Sequence, residues 1–274
     1  VAGSAYTYTY ATMGEFMAWM VGWILMLEYA IGNITVASAW TGYFIHFLSG
    51  FKHVLPAWIV NFPLWLRYDY KTMTEMCSAY GWDIHDKVPY IFGHIPFAVN
   101  LPAIVIVLLL TMLLIRGVKE STRVASIMVG VNMFMILSFI AVGSHYVVPA
   151  HWLPFIPVSH PFQGIMMGAF LIFFAYIGFD AISTTAEETE NPQRDLPIAI
   201  LGTLVICTVL YVCVALVLTG IVPVERINIQ APIAHAMSYI GHGWDWFAKL
   251  IAIGALCALT SVLLVYQLGT TRIL

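Results

Sequence analysis

The chain has 274 residues, of which 61% are hydrophobic and only 9% are charged, whereas about 25% are charged in a typical soluble domain. A soluble protein of this length cannot bury so much apolar surface, so the composition predicts a polytopic membrane protein. The formal net charge of -3 provides no basic surface, which excludes nucleic acid as a partner.

Six stretches are apolar for long enough to cross a bilayer, which takes about 20 mainly apolar residues in a helix. We predict spans at about 17–47, 97–115, 124–142, 162–182, 198–222 and 246–268, which together form a single transmembrane domain. The first span is too long to stand upright, so we expect it to be tilted or to begin at headgroup level. Further short helices are expected near 70–80 and within 223–239.

Basic residues indicate the orientation of these spans. The turn between the second and third spans carries Arg116, Lys119 and Arg123, and the connection after the fourth span carries Arg194. The positive-inside rule makes this side cytoplasmic, in a cell (plasma) membrane. The long loop 50–95 weakens the argument, because it carries four basic residues on the opposite side.

The fourth span contains the sequence FFAYIGFDAISTTAEETENP, at 173–192. Its apolar run meets Gly178 and Asp180 before it has crossed the width of a bilayer. Unpaired backbone groups are tolerated at that depth only beside protein or a water-filled cavity. We therefore predict a broken helix near 174–180, next to a substrate site.

A break at this point frees backbone carbonyl groups. Those of Phe174, Ala175 and Ile177 lose their intrahelical partners and become candidates to receive a substrate ammonium group. The aromatic rings of Phe174, Tyr176 and Phe179 either gate the cavity or pack between helices.

Only two formally charged residues lie well inside predicted spans, Glu28 and Asp180. Glu28 either faces a transport cavity, where it attracts a cation or carries a proton, or bonds to a neighbouring helix for architecture alone. Asp180 directly follows the break, so we interpret it as a cap of the following half-helix rather than as a ligand. The histidines show no HExxH-type spacing, so neither a metal site nor a cofactor is predicted.

Two segments, VAGSAYTYTYATMGEFMAWMVGWILMLEYAIG (1–32) and FFAYIGFDAISTTAEETENPQRDLPIAI (173–200), together resemble the amino acid–polyamine–organocation (APC) superfamily. Within it they are most similar to the bacterial cationic amino acid transporter family. GALCALTSVLLVYQLGTTRIL (254–274) is similar to that family's eighth helix. The resemblance implies an all-α, LeuT-like bundle of two inverted repeats, of which this chain carries the third to eighth helices. We therefore expect the chain to be a fragment.

The resemblance also implies roles for individual residues. The backbone of Phe174, Ala175 and Ile177 would bind the α-amino group of an amino acid substrate, with Gly178 allowing the bend. Phe174 would in addition act as an aromatic gate, and Glu28 would be the acid near the substrate.

Three further residues bear on coupling. Thr260 and Ser261 fall where related sodium-coupled transporters hold an ion. Asn132, in IMVGVNMFM, takes the position at which proton-coupled bacterial relatives commonly carry Lys. Because Asn cannot exchange a proton, this departure favours facilitated diffusion, exchange, or coupling through Glu28, with protons as a candidate partner.

The break in the fourth span, Glu28 and the family resemblance together predict a transporter of cationic or small neutral amino acids. We expect it to work by alternating access and not to be an enzyme. Its partners would be an amino acid and the lipid bilayer. One alternative is a non-transporting amino acid sensor of the same fold. Another is an intramembrane enzyme with Glu28 and Asp180 as a carboxylate pair, which would require both acids to reach one reacting group.

Overall fold

The computed structural model of the chain describes residues 4–50, 56, 62–84, 87–91, 95–116, 118–153, 161–178, 189, 191–227 and 231–273.

Two helices open the chain, α1 over Ser4–Met13 and α2 over Glu15–Gly50. Gly14 separates them with a φ of +89°, in the region that glycine adopts without steric cost. At a rise of about 1.5 Å per residue, α2 is about 54 Å long, which exceeds the thickness of about 30 Å of a hydrocarbon core. This length agrees with the expectation that the first span is tilted or begins in the interface.

The described part of the loop after α2 contains two short helices and two very short strands. Helix α3 covers Leu64–Arg67, and α4 covers Tyr70–Tyr80, where a short helix was expected. Asp69 caps α4, since its carboxylate accepts a hydrogen bond from the backbone amide of Thr72 at 3.1 Å. Strands β1 (Tyr90–Ile91) and β2 (Ile95–Pro96) pair antiparallel.

The remaining helices are α5 (Leu101–Arg116), α6 (Val118–Gly143), α7 (Pro161–Phe173), α8 (Pro192–Ile221), α9 (Pro232–Ile240) and α10 (Asp245–Ile273). Single 3-10 turns lie at Ser144–Tyr146, Pro149–Trp152, Phe174–Tyr176, Val224–Arg226 and His242–Trp244. The described architecture is thus mainly helical, as expected from the apolar stretches and from the family resemblance.

Within the described residues, four helical stretches are long and apolar enough to cross a membrane: Glu15–Gly50, Arg123–Tyr146, Pro192–Ile221 and Trp246–Thr271. Two shorter apolar helices cover Leu101–Arg116 and Phe162–Tyr176. These six stretches overlap the six predicted spans. The boundaries of the spans in a bilayer stay a prediction from sequence.

Helix α10 packs along both α2 and α6. Leu263 and Leu264 of α10 are almost fully buried, in one apolar cluster with Ala37 of α2 and Leu110 of α5. By contrast, α7 and α8 expose many large apolar side chains. Extensive apolar exposure is expected of helix surfaces that face lipid or further protein.

Candidate functional site at the turn after α7

The α-helical hydrogen-bond pattern of α7 stops at Phe173, and the chain continues as one 3-10 turn over Phe174–Tyr176. Ile177 is then extended, with φ −58° and ψ 134°, and Gly178 has a φ of +101°. Side-chain-bearing residues rarely adopt that φ, so the turn requires glycine here. The described part of the predicted break is therefore present.

Each of the three carbonyl groups predicted to bind substrate already accepts one hydrogen bond. The oxygen of Phe174 accepts from the amide of Ile177 at 3.3 Å. The oxygen of Ala175 accepts from the hydroxyl of Tyr211 at 3.0 Å. The oxygen of Ile177 accepts from the hydroxyl of Tyr266 at 3.4 Å. A carbonyl oxygen has two lone pairs, so each of the three can accept a second hydrogen bond.

Tyr176 of the turn also contacts helix α8. The hydroxyl of Tyr176 lies 2.9 Å from the hydroxyl of Thr208, and the Tyr176 ring packs edge-on against Tyr211 with centroids 5.4 Å apart. Thr208 donates its proton to the carbonyl of Leu204 at 2.7 Å, so Tyr176 is the donor to Thr208. Side chains on α8 thus contact both Ala175 and Tyr176.

Tyr266 of α10 lies between the turn and α2. Its Cε1 is 3.4 Å from the position that a Cβ on Gly178 would take, and its Cε2 is 2.8 Å from the corresponding position on Gly32. The ring of Tyr29 packs edge-on against Tyr266 with centroids 5.6 Å apart, and a Cβ on Gly269 would lie 2.9 Å from Tyr29. One glycine on each helix therefore makes room for a tyrosine of the other.

Glu28 is half-buried on α2, directly before Tyr29 and one helical turn before Gly32. The structure therefore places this acid on the segment of α2 that packs against Tyr266. Whether Glu28 contacts a substrate stays a prediction.

Thr260 and Ser261, the residues expected near a coupling ion, are buried on α10 with 8% and 4% exposure. The hydroxyl oxygen of Thr260 accepts a hydrogen bond from the indole nitrogen of Trp40 at 3.0 Å. The same hydroxyl donates to the carbonyl of Leu256 at 2.6 Å. Thr260 thus has a structural role in the contact between α2 and α10.

Asn132 lies partly buried near the middle of α6, which packs against the side of α10 formed by Gly254. A Cβ on Gly254 would lie 2.5 Å from the side chain of Met135, so the two helices approach closely there. Asn132 and Thr260 are thereby on helices in direct contact, and their role in coupling stays a prediction.

Two predicted site residues, Phe179 and Asp180, lie outside the described residues. The capping role of Asp180 and the gating role of Phe179 therefore stay predictions. Within the described part of the chain, no group of three or more His, Cys, Asp or Glu side chains is arranged to hold a metal ion.

Sequence reasoning missed the tyrosines that bind the turn, Tyr211 and Tyr266, and their neighbour Tyr29. Each lies in an apolar run, where an aromatic residue is usually interpreted as packing. A usable signal was present, because a tyrosine hydroxyl inside a membrane span needs a hydrogen-bond partner. The identity of that partner depends on which helices are neighbours.

The family model described as "Amino acid permease" matches residues 1–274. The chain belongs to the amino acid permease family. This membership agrees with the resemblance to the APC superfamily found in the sequence.

Several curated proteins are similar along nearly the whole chain. It is 39% identical over 273 residues to a methylthioribose transporter of Bacillus subtilis, covering 100% of this chain and 52% of the relative. It is 41% identical over 276 residues to the branched-chain amino acid permease BcaP of Bacillus subtilis, covering 100% and 53%. It is 36% identical over 265 residues to the chloroplastic cationic amino acid transporter 9 of Arabidopsis thaliana, covering 97% and 42%. The chain spans about half the length of these relatives.

Proposed function

We propose that the protein containing this chain is an amino acid transporter that works by alternating access around the turn at 174–178. The observation that carries this proposal is the turn at 174–178, where the α-helix α7 is interrupted. The carbonyl oxygens of Ala175 and Ile177 in this turn accept hydrogen bonds from tyrosines of two other helices. Secondary transporters commonly build substrate sites from such discontinuous helices near the bilayer midplane. Membership in the amino acid permease family supports the same function, which is non-enzymatic.

The chemistry of the turn suits the α-amino group of an amino acid. The carboxyl end of α7 carries partial negative charge from the helix dipole, and its last carbonyls point toward the break. The second lone pairs of Phe174, Ala175 and Ile177 would accept the ammonium protons. Gly178 allows the bend, and Phe174, which is 38% exposed, would close over the bound substrate as a gate.

Glu28 and the names of the relatives both bear on the substrate class that we propose. The names of the relatives specify methylthioribose, branched-chain amino acids and cationic amino acids. A carboxylate on the α2 segment next to Tyr266 would favour a cationic side chain, whereas a Glu28 held by a neighbouring helix would leave the site to a neutral one. We propose cationic or small neutral amino acids, with Glu28 as the residue that decides between them.

The motion would take place between the turn and a rigid pair of helices. The tyrosine–glycine contacts between α2 and α10 are close and buried, so this pair would act as scaffold. The bond from Tyr266 to Ile177 is 3.4 Å long, beyond the usual range of about 2.5–3.0 Å for two oxygens, and is therefore weak. A weak bond between scaffold and turn can break and re-form at low cost during a transport cycle.

Coupling would not use a lysine proton, because Asn132 stands at the corresponding position. We propose facilitated diffusion or exchange in a cell membrane, with Arg116 and Arg123 on the cytoplasmic side and lipid around the bundle. Proton movement through Glu28 is the remaining coupled mechanism. An ion at Thr260 and Ser261 would have to share the Thr260 oxygen with the Trp40 indole.

The test is uptake by the full-length protein in proteoliposomes, with labelled leucine, alanine, arginine and lysine in competition. We expect saturable uptake of at least one of them, lost in Gly178→Leu and retained in Gly168→Leu, since Gly168 has open space around it. Retained uptake in Gly178→Leu would refute the site. Binding without uptake would favour a sensor.

The coupling is tested in the same vesicles. Uptake by the unmodified protein should be the same with and without an imposed pH gradient. Marked stimulation by external acid would contradict uncoupled transport, and its loss in Glu28→Gln would assign the proton to Glu28.

A further inference from the structure

An apolar groove of about 340 Å³ lies between α2 and α5, away from the turn at 174–178. Helix α2 supplies Trp40, Phe44 and Leu48, which share one helix face because they are four residues apart. Helix α5 supplies Leu101 and Val105. The described residues that line the groove are apolar, which suits an apolar occupant.

The groove has a preformed wall. The rings of Trp40 and Phe44 stack with centroids 4.8 Å apart and planes inclined by 16°. The Trp40 ring is held in place by its hydrogen bond to Thr260. On the other side Leu101 and Val105 are 42% and 47% exposed, so the groove is open to its surroundings. Its volume is at the lower end of the range of about 300–1,000 Å³ for small-molecule sites.

A cation lies beside one of the residues that line the groove. Phe62 and Leu66 also line it, and Arg67 follows them at the end of α3. The guanidinium carbon of Arg67 is 4.9 Å from the centroid of the Phe62 ring, and its Nε donates to the Phe62 carbonyl at 2.6 Å. Burial lowers the pKa of Arg67, but a guanidinium stays protonated in proteins.

The place of the groove along the helices fits a lipid headgroup. Leu101 is the first residue of α5 and Arg116 is its last, so the groove lies at the end of α5 opposite Arg116. Helix α3, which ends at Arg67, contacts α5. The end of a membrane helix is where the hydrocarbon core gives way to headgroups. An arginine there can bind a phosphate through charge-assisted hydrogen bonds.

We propose that this groove binds one acyl chain of an anionic phospholipid, whose phosphate contacts Arg67. The apolar groove alone would accept any hydrocarbon chain, and the cation alone would accept any anion. A phospholipid carries both an acyl chain and an anionic phosphate. The site is separate from the proposed transport site and does not depend on the proposed function.

The test uses the full-length protein in nanodiscs that contain either phosphatidylglycerol or phosphatidylcholine with a photoreactive group in one acyl chain. After irradiation, mass spectrometry measures the labelling of peptides from 40–48 and 101–105. Val105→Trp fills the groove. Met112→Trp is the matched control, because Met112 is a 61% exposed residue of the same helix that does not line the groove. Leu101→Trp is a second groove-filling variant in case Val105→Trp folds poorly.

We expect phosphatidylglycerol to label both peptides in the unmodified protein and in Met112→Trp, and neither peptide in Val105→Trp or Leu101→Trp. Arg67→Gln should reduce the preference for phosphatidylglycerol over phosphatidylcholine by about fivefold, the factor expected for one basic side chain near an anionic lipid surface. Equal labelling by the two lipids in the unmodified protein, or labelling that survives in both groove-filling variants, would overturn the proposal. Absence of labelling in the unmodified protein would also overturn it and would indicate that another segment of the full protein covers the groove.

Discussion

The hydroxyl of Tyr266 lies 3.4 Å from the carbonyl oxygen of Ile177, and through this pair the long helix α10 contacts the turn after α7. The same tyrosine ring packs against Gly32 of α2. One side chain thereby connects the proposed substrate site to the helix that carries Glu28.

The first prediction concerns the hydroxyl of Tyr266. Tyr266→Phe removes the bond to Ile177 and preserves the ring, so we expect a loss of under about 1 kcal/mol in the free energy of unfolding, since the bond is long. The freed carbonyl is less well oriented toward a substrate ammonium group, so the KM for uptake should rise severalfold. Uptake kinetics and thermal unfolding of the full-length protein measure the two effects. Tyr8→Phe, at a tyrosine that is 50% exposed on α1, is the control and should change neither.

The second prediction concerns the backbone of the turn. Gly178→Ala introduces a side chain at a φ of +101°, which we expect to cost about 1–2 kcal/mol in strain. The new Cβ would be 3.4 Å from Tyr266, an ordinary contact, so strain rather than a clash is the cause. Uptake should fall strongly, as measured in proteoliposomes.

The control for this change is Gly168→Ala, within the regular part of α7 and with open space around it. Alanine favours a helix over glycine, so this variant should retain uptake and be at least as stable. Equal behaviour of the two variants would argue against a special backbone at Gly178.

The third prediction concerns the close approach of α2 and α10. A Cβ on Gly32 would lie 2.8 Å from Cε2 of the buried Tyr266 ring, so Gly32→Ala forces the ring or the helix to move. We expect destabilisation of about 1–3 kcal/mol, seen as a lower Tm. Gly202→Ala on α8, where nothing lies within 4 Å, should leave the Tm unchanged or raise it. Partial recovery of the Tm in Gly32→Ala combined with Tyr266→Leu would attribute the loss to this one contact.

The fourth prediction concerns the hydrogen bond between Trp40 and Thr260. Thr260→Val has a similar shape but leaves the Trp40 indole N–H without its acceptor, at an expected cost of about 1–3 kcal/mol. Thr260→Ser keeps the hydroxyl and should remain close to the unmodified protein in Tm. If both variants melt alike, the hydrogen bond contributes nothing to stability.

Much of the fold could be predicted because its signals are local. A run of apolar residues identifies a membrane helix through its own composition, and the short helix at 70–80 begins at Asp69, whose capping role is a property of a few neighbouring residues. The break was also predictable, since Gly178 and Asp180 interrupt an apolar run before it has crossed the width of a bilayer.

The partners of that break were not predictable in the same way. Tyr211 is 36 residues beyond Ala175, and Tyr266 is 89 residues beyond Ile177. No local pattern states which tyrosine hydroxyl reaches which carbonyl, because that depends on how α8 and α10 pack around the turn. The sequence predicted that the freed carbonyls of Ala175 and Ile177 are available to a substrate. It did not predict that the hydroxyls of Tyr211 and Tyr266 already donate hydrogen bonds to them.

By itself, the amino-acid sequence determined that this chain is a bundle of membrane helices with one interrupted span. Both features can be found within a single segment, because a long apolar run predicts a membrane helix and a polar interruption of that run predicts a break in it. Only the tertiary structure decided what the interruption contacts. A glycine on α2 and another on α10 admit two tyrosine rings between these helices, and that packing brings the Tyr266 hydroxyl to Ile177. The contact arises from the close approach of helices distant in sequence, which neither helix specifies alone.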